Sequence, residues 1–190
     1  MIIEALEVLK TIECDLENVS NVCANKLSNF NYSFGSSKIV IYCGGFVIKK
    51  VFGELHSDEN NIYRRAREKK LNKFFAITLK YSDDIYIQRK IDIALNDFVK
   101  KEKDEGRIIK YGALREDYRK MGLQEMLNRS DCCVLYYLFK QYSLEEILEL
   151  QNFIAENDLN DLQFYNAGFY NGNIVFFDYS GVNGIFEEEI

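Results

Sequence analysis

Asp161-Leu162-Gln163-Phe164-Tyr165-Asn166, then Asn171-Gly172-Asn173-Ile174-Val175-Phe176-Phe177, then Asp178-Tyr179-Ser180-Gly181, is the stretch whose reading decides the fold. An aspartate stands five residues before an asparagine, a short strand is expected at Asn173 to Phe177, and a second aspartate opens a turn that ends in glycine. Taken alone, this is also the pattern of a polar loop capping a hairpin. Working outward, Ser143-Leu144-Glu145-Glu146 is a capping box, and the helix it opens carries Leu144, Ile147, Leu148 and Ile154 on one face. From about Ile93 to that box the pattern is mostly helical, broken by the charged stretch from Lys100 to Arg107. Farther upstream, Phe74 to Tyr81 and Ile85 to Ile91 read as strands joined by the turn Ser82-Asp83-Asp84. Asp58 is placed to cap a helix through Ile62, Tyr63, Ala66 and Leu71. Ile39 to Tyr42 and Phe46 to Phe52 read as strands about the turn Gly44-Gly45. Residues 2–27 read as one helix, with Ile2, Leu6, Leu9, Ile12, Leu16, Val19 and Val22 at helical spacing. Strands first and helices second argue an α+β fold, with a first part over 1–92 and a second over 93–190.

Two upstream segments complete the pattern. Ser33-Phe34-Gly35-Ser36-Ser37-Lys38-Ile39-Val40 can be laid on the phosphate-loop pattern G-x-G-x-x-G-x-V, keeping only the middle glycine as Gly35. Phe46-Val47-Ile48-Lys49 matches the strand pattern V-A-I-K. Together with Asp161, Asn166 and Asp178, these segments resemble the protein-kinase-like superfamily over roughly residues 30–181. The resemblance implies a bilobal fold, with a small antiparallel-sheet lobe and a truncated, mainly helical lobe. It implies ATP and magnesium as cofactors. Lys49 would contact the α- and β-phosphates, with Gly35, Ser36 and Lys38 in the phosphate loop. Glu59 is the first choice for the carboxylate that holds Lys49, while Glu54 and Glu68 remain open by spacing. Asn166 and Asp178 would hold the metal through oxygen, as a hard cation requires. Asp161 would orient the attacking hydroxyl towards the γ-phosphate.

Composition narrows the alternatives. Hydrophobic residues at 47% and charged residues at 28% suit a folded globular chain of 190 residues. The single histidine, His56, gives a zinc site too few of its usual ligands and leaves one imidazole for any nucleophile–histidine pair. Five cysteines, an odd number without C-x-x-C spacing, read as free thiols of a reducing compartment. No apolar run approaches the ~18 residues of a membrane span, and the acidic N-terminus lacks a signal peptide's basic start, so a cytoplasmic protein is expected. A net charge of −6 argues against nucleic acid as a partner. The cluster Arg64, Arg65, Arg67, Lys69, Lys70 and Lys73 reads as a solvated helix face.

Three departures from the family pattern bear on activity. The phosphate loop holds Ser33 and Lys38 at two glycine positions, which hinders close backbone approach to phosphates. Leu159 and Asn160 stand where the family has His-Arg before the catalytic aspartate. Only Val182 to Ile190 follow the Asp178 turn, too few for a peptide-holding segment. Two expectations therefore stand side by side. One is an ATP-dependent phosphotransferase with Lys49 and Asp161 as catalytic residues. The other is a pseudokinase that binds a protein partner. With no proline and abundant Asn, Lys, Ile and Tyr, that second reading suits a phage or mobile-element protein that disarms a host factor.

Overall fold

The computed structural model describes residues 1–12, 25–35, 38–52, 58–106, 132–159, 162 and 164–179. It is α+β and divides into two compact units, Met1–Leu55 with Ile77–Lys90, and His56–Ala76 with Ile91–Ile190. Residues 56–76 thus belong with the second unit. Among the described residues no helix is long and apolar enough to cross a membrane.

The first unit is an antiparallel sheet with one helix on it. Its strands are β1 (Tyr32–Phe34), β2 (Lys38–Cys43), β3 (Phe46–Val51), β4 (Thr78–Lys80) and β5 (Ile85–Arg89), in the order β1-β2-β3-β5-β4. Gly44-Gly45 turns β2 into β3, and Gly44 takes φ +61°, a conformation that glycine adopts without a Cβ clash. Helix α1 (Ile2–Lys10) lays Ala5, Leu6 and Leu9 on Ile39, Ile41, Ile48 and Ile85, all buried. It begins at Ile2 as expected but ends at Lys10, so the single helix expected over 2–27 is broken there. The Thr11 hydroxyl donates to the carbonyl of Val8 at 2.8 Å. The Lys26 ammonium then donates to the Thr11 carbonyl at 2.6 Å, the sign of charge that a helix C-terminus favours. Residues 13–24 lie outside the described residues. Cys43 is a free, buried thiol in this core, and burial pushes its pKa up.

The second unit contains α2 (Glu59–Glu68), β6 (Ile93–Ala94), α3 (Leu95–Asp104), α4 (Cys132–Gln141), α5 (Leu144–Glu156), β7 (Ala167–Tyr170) and β8 (Asn173–Phe176). Asp58 caps α2 by accepting from the amides of Asn60 and Asn61 at 2.8 and 3.2 Å. The helix is followed by Lys70 at φ 60°, exposed and left-handed. Because an L side chain is strained there, Lys70→Gly is expected to stabilise the protein by about 0.5–1 kcal/mol, read as a raised urea midpoint.

Several boundaries differ from the sequence expectation. The strand expected from Phe74 to Tyr81 is a 3-10 turn (Asn72–Phe74), then Phe75 in a lone parallel bridge to Phe176, then β4. Consecutive Phe74 and Phe75 are both buried, which a strand with one covered face does not allow. The charged stretch after Lys100 stays helical to Asp104, because Leu95, Phe98 and Val99 give α3 its packed face and the lysines are solvated. In α5 the buried stripe is Ile147, Leu150, Phe153 and Ile154, whereas Leu144 and Leu148 are exposed.

The capping box forms as expected, and it has a further partner. Ser143 Oγ accepts from the Glu146 amide, and Glu146 accepts from the Ser143 amide at 2.8 Å. Lys73 also donates to Glu146, and Lys69 pairs with Glu156, so two members of the basic cluster are committed to α5. The Lys73 ammonium, followed by the Ser143 amide and hydroxyl, holds the Glu146 carboxyl down to about 2. A carboxyl depressed in the folded state stabilises above its unfolded pKa of about 4.3, and that contribution is lost as pH falls towards 2. Urea unfolding from pH 5 to pH 2.5 is therefore expected to show a steeper acid loss for the wild type than for Glu146→Gln. High salt should narrow that difference.

Candidate functional site

Strand alternation sorts the two adjacent lysines of β3. Lys50 lies in register with Ile39 and Ile85, on the α1 side of the sheet. Its ammonium donates to Asp84 Oδ2 at 2.6 Å. Burial alone would raise the Asp84 pKa, but the bonds from Lys50 and Ser82 outweigh it and hold the carboxyl below its ordinary value. Lys49 lies in register with Val40 and Tyr86 on the opposite face, and only 3% of it is exposed. Lys38, opposite Val51, points to the same face and is 6% exposed. That face therefore presents two buried ammonium groups among Val40, Val47, Val51 and Tyr86. Buried ammonium groups are costly unless something negative or hydrogen-bonding meets them.

Gly35 sits at the hairpin turn between β1 and β2, where its amide donates to the Lys38 carbonyl at 2.8 Å. Among the described residues, a Cβ there would meet that carbonyl oxygen at an ordinary 3.8 Å. Gly35 is therefore not required by its backbone, and its N–H already has a partner. Ser36 lies outside the described residues.

In the second unit, Glu59 is the first residue of α2, 2% exposed, with its charge at the favourable end of the helix. Asn166 closes a 3-10 turn just before β7, and Asp178 follows just after β8. The Phe177 amide donates to the Asn166 carbonyl at 2.9 Å, continuing the register of Ala167 with Phe176. The two proposed metal ligands are thus brought together at the open end of one hairpin. Asn166 is 6% exposed and Asp178 partly buried. Both offer oxygen donors, which suits a hard cation that completes its shell with water and phosphate. Among the described residues no group of three His, Cys, Asp or Glu could hold a metal. Asp161, Ser180, Gly181, Glu54 and His56 lie outside the described residues.

No family model, curated protein or solved structure matches this chain.

Sequence reasoning missed the supports of this hairpin. Asn171 and Gly172 form its tip with φ 50° and 77°, the left-handed pair that makes Asn-Gly the strongest hairpin signal. Reading that dipeptide would have found β7, which the sequence expectation leaves as loop. The Gln141 side chain grips the tip, donating to the Gly172 carbonyl at 2.9 Å and accepting from the Ile174 amide at 2.8 Å. Asp92 accepts from the Asn171 amide at 2.7 Å. Near the other end, the Tyr179 hydroxyl donates to the Ala76 carbonyl at 2.8 Å, and its ring packs edge-on against Phe75. No local sequence signal marks Gln141, Asp92 or Ala76 as a partner of this hairpin.

Proposed function

We propose that this chain is a kinase-like, bilobal protein that binds ATP with magnesium, and that phosphoryl transfer to an acceptor hydroxyl is the reaction such a site serves. The observation that carries this reading is the Phe177–Asn166 hydrogen bond, which brings Asn166 and Asp178 to one end of a hairpin. Lys49 supports it from the middle strand of the first unit's sheet. A sheet face that carries Lys49 and Lys38 beside Val40, Val47 and Tyr86 suits a base and a phosphate chain. In this reading Lys49 and Lys38 neutralise phosphate oxygens, and Gly35 and Ser36 border the phosphates. Asn166 and Asp178 would hold magnesium, which supplies charge neutralisation on the phosphates, and Asp161 would orient the acceptor.

A second reading, binding without transfer, has its own support. Gly35 gives its amide to Lys38 within the hairpin, so this N–H is not free to cradle a phosphate. A pseudokinase of this kind would serve as a cytoplasmic protein-binding module, for instance a phage or mobile-element inhibitor of a host factor.

Calorimetry with ATP, with and without magnesium, separates these readings. Wild type is expected to bind more tightly with the metal, and Asp178→Ala is expected to lose at least tenfold of that gain. Absence of binding at millimolar ATP would exclude the nucleotide site and leave the partner-binding module.

A further inference from the structure

The Asp178 turn is tied to a segment distant in sequence, and the tie has an unusual form. Asp178 lies between Phe177, whose amide is bonded to Asn166, and Tyr179, whose side chain leaves the turn and enters the core. The Tyr179 ring is 1% exposed and stands 5.1 Å from the Phe75 ring. Its hydroxyl reaches the Ala76 carbonyl at 2.8 Å. The same residue acts on its other side, where the Ala76 amide donates to the Phe176 carbonyl at 2.8 Å. Phe75 bridges Phe176 in parallel at this point. Residues 75–76 therefore hold the chain both two residues before Asp178 and one residue after it. Packing alone would be served by phenylalanine at 179. The hydroxyl adds a directional bond that fixes the rotation of the backbone on which the Asp178 carboxylate is carried.

We infer that Tyr179 is a positioning residue for Asp178, and that the Ala76 peptide is the fixed point against which it sets the metal-binding carboxylate. This rests on the ATP–magnesium reading above. A carboxylate shared between protein and a hard cation must stand within a narrow range of place, because magnesium tolerates little departure from octahedral geometry. Freed from Ala76, the turn keeps its core anchor but loses its rotational setting. The effect should therefore fall on the metal-dependent part of nucleotide affinity rather than on folding as a whole.

The test compares wild type, Tyr179→Phe and Asp178→Asn as full-length chains, with the non-hydrolysable analogue AMPPNP titrated with and without magnesium. Thermal melting and hydrogen exchange of the 174–179 peptide are followed on the free proteins. The expected result for Tyr179→Phe is a roughly fivefold loss in affinity with magnesium, about the factor that one hydrogen bond supplies. Metal-free affinity should be unchanged and exchange across 174–179 faster. Full retention of the magnesium gain in Tyr179→Phe would overturn the inference while leaving the nucleotide reading intact. So would equal losses with and without metal that track a lowered melting temperature, since that marks a structural role alone. No AMPPNP binding by wild type would overturn the nucleotide reading and the positioning role with it. Faster exchange would then describe a fold contact only.

Discussion

Gly168→Ala is expected to destabilise the protein by about 2–3 kcal/mol, although it adds a single carbon. That carbon would stand 2.5 Å from Ile91 Cδ1, 2.6 Å from the Ile93 carbonyl oxygen and 3.1 Å from Ala94 Cα. The isoleucine tip can turn aside, but the two backbone atoms belong to β6 and the residue paired with Gly168 across the ladder. Relief requires β6 to move away from β7, and β7 begins one residue after Asn166. The loss should appear as a lower urea midpoint. It should be accompanied by faster exchange of the Asp92 amide, which donates to the Phe169 carbonyl at 2.7 Å. A change under about 0.5 kcal/mol would mean that β6 does not lie this close.

Tyr179→Ala is expected to be the most damaging change in the second unit's core, at about 3–5 kcal/mol. The side chain is among the largest fully buried ones, and it packs on Phe75, whose ring also meets Phe153 and Phe176. Truncation leaves a cavity beside Phe75 and a buried carbonyl at Ala76 without its tyrosine donor. Chemical denaturation followed by far-UV circular dichroism would read the loss. A cost near that of Tyr179→Phe would show that the ring contributes little beyond its hydroxyl.

Where a sequence signal is local, it could be read correctly. The Ser143–Glu146 box, the Asp58 cap and the Gly44-Gly45 turn each depend on atoms within four residues, and each is formed. Where the cause is a distant partner, sequence periodicity misled. Phe74–Ala76 has a strand's composition, yet Phe74 closes a 3-10 turn, both phenylalanines find buried places, and Ala76 pairs with Phe176 a hundred residues later. The α5 stripe was misassigned for the same reason. Leu148 and Leu150 are equally apolar, and only the packing of the second unit's core selects Leu150. Among candidate site residues, strand alternation about Ile48 separates Lys49 from Lys50, and the Asn166–Asp178 convergence follows once the Asn171-Gly172 turn is recognised. The roles of Gln141, Asp92 and Ala76 were not legible, since each acts through a contact that nothing nearby in the chain announces.

The burial of Cys43 gives the first unit an internal clock. A thiol reacts as its thiolate, and burial both raises this thiol's pKa and keeps reagents from it. Alkylation at Cys43, followed by mass spectrometry of its own peptide, would then proceed only through molecules in which β2 has parted from α1. The rate of that labelling measures how often the sheet opens, independently of any ligand and without a substitution in the chain.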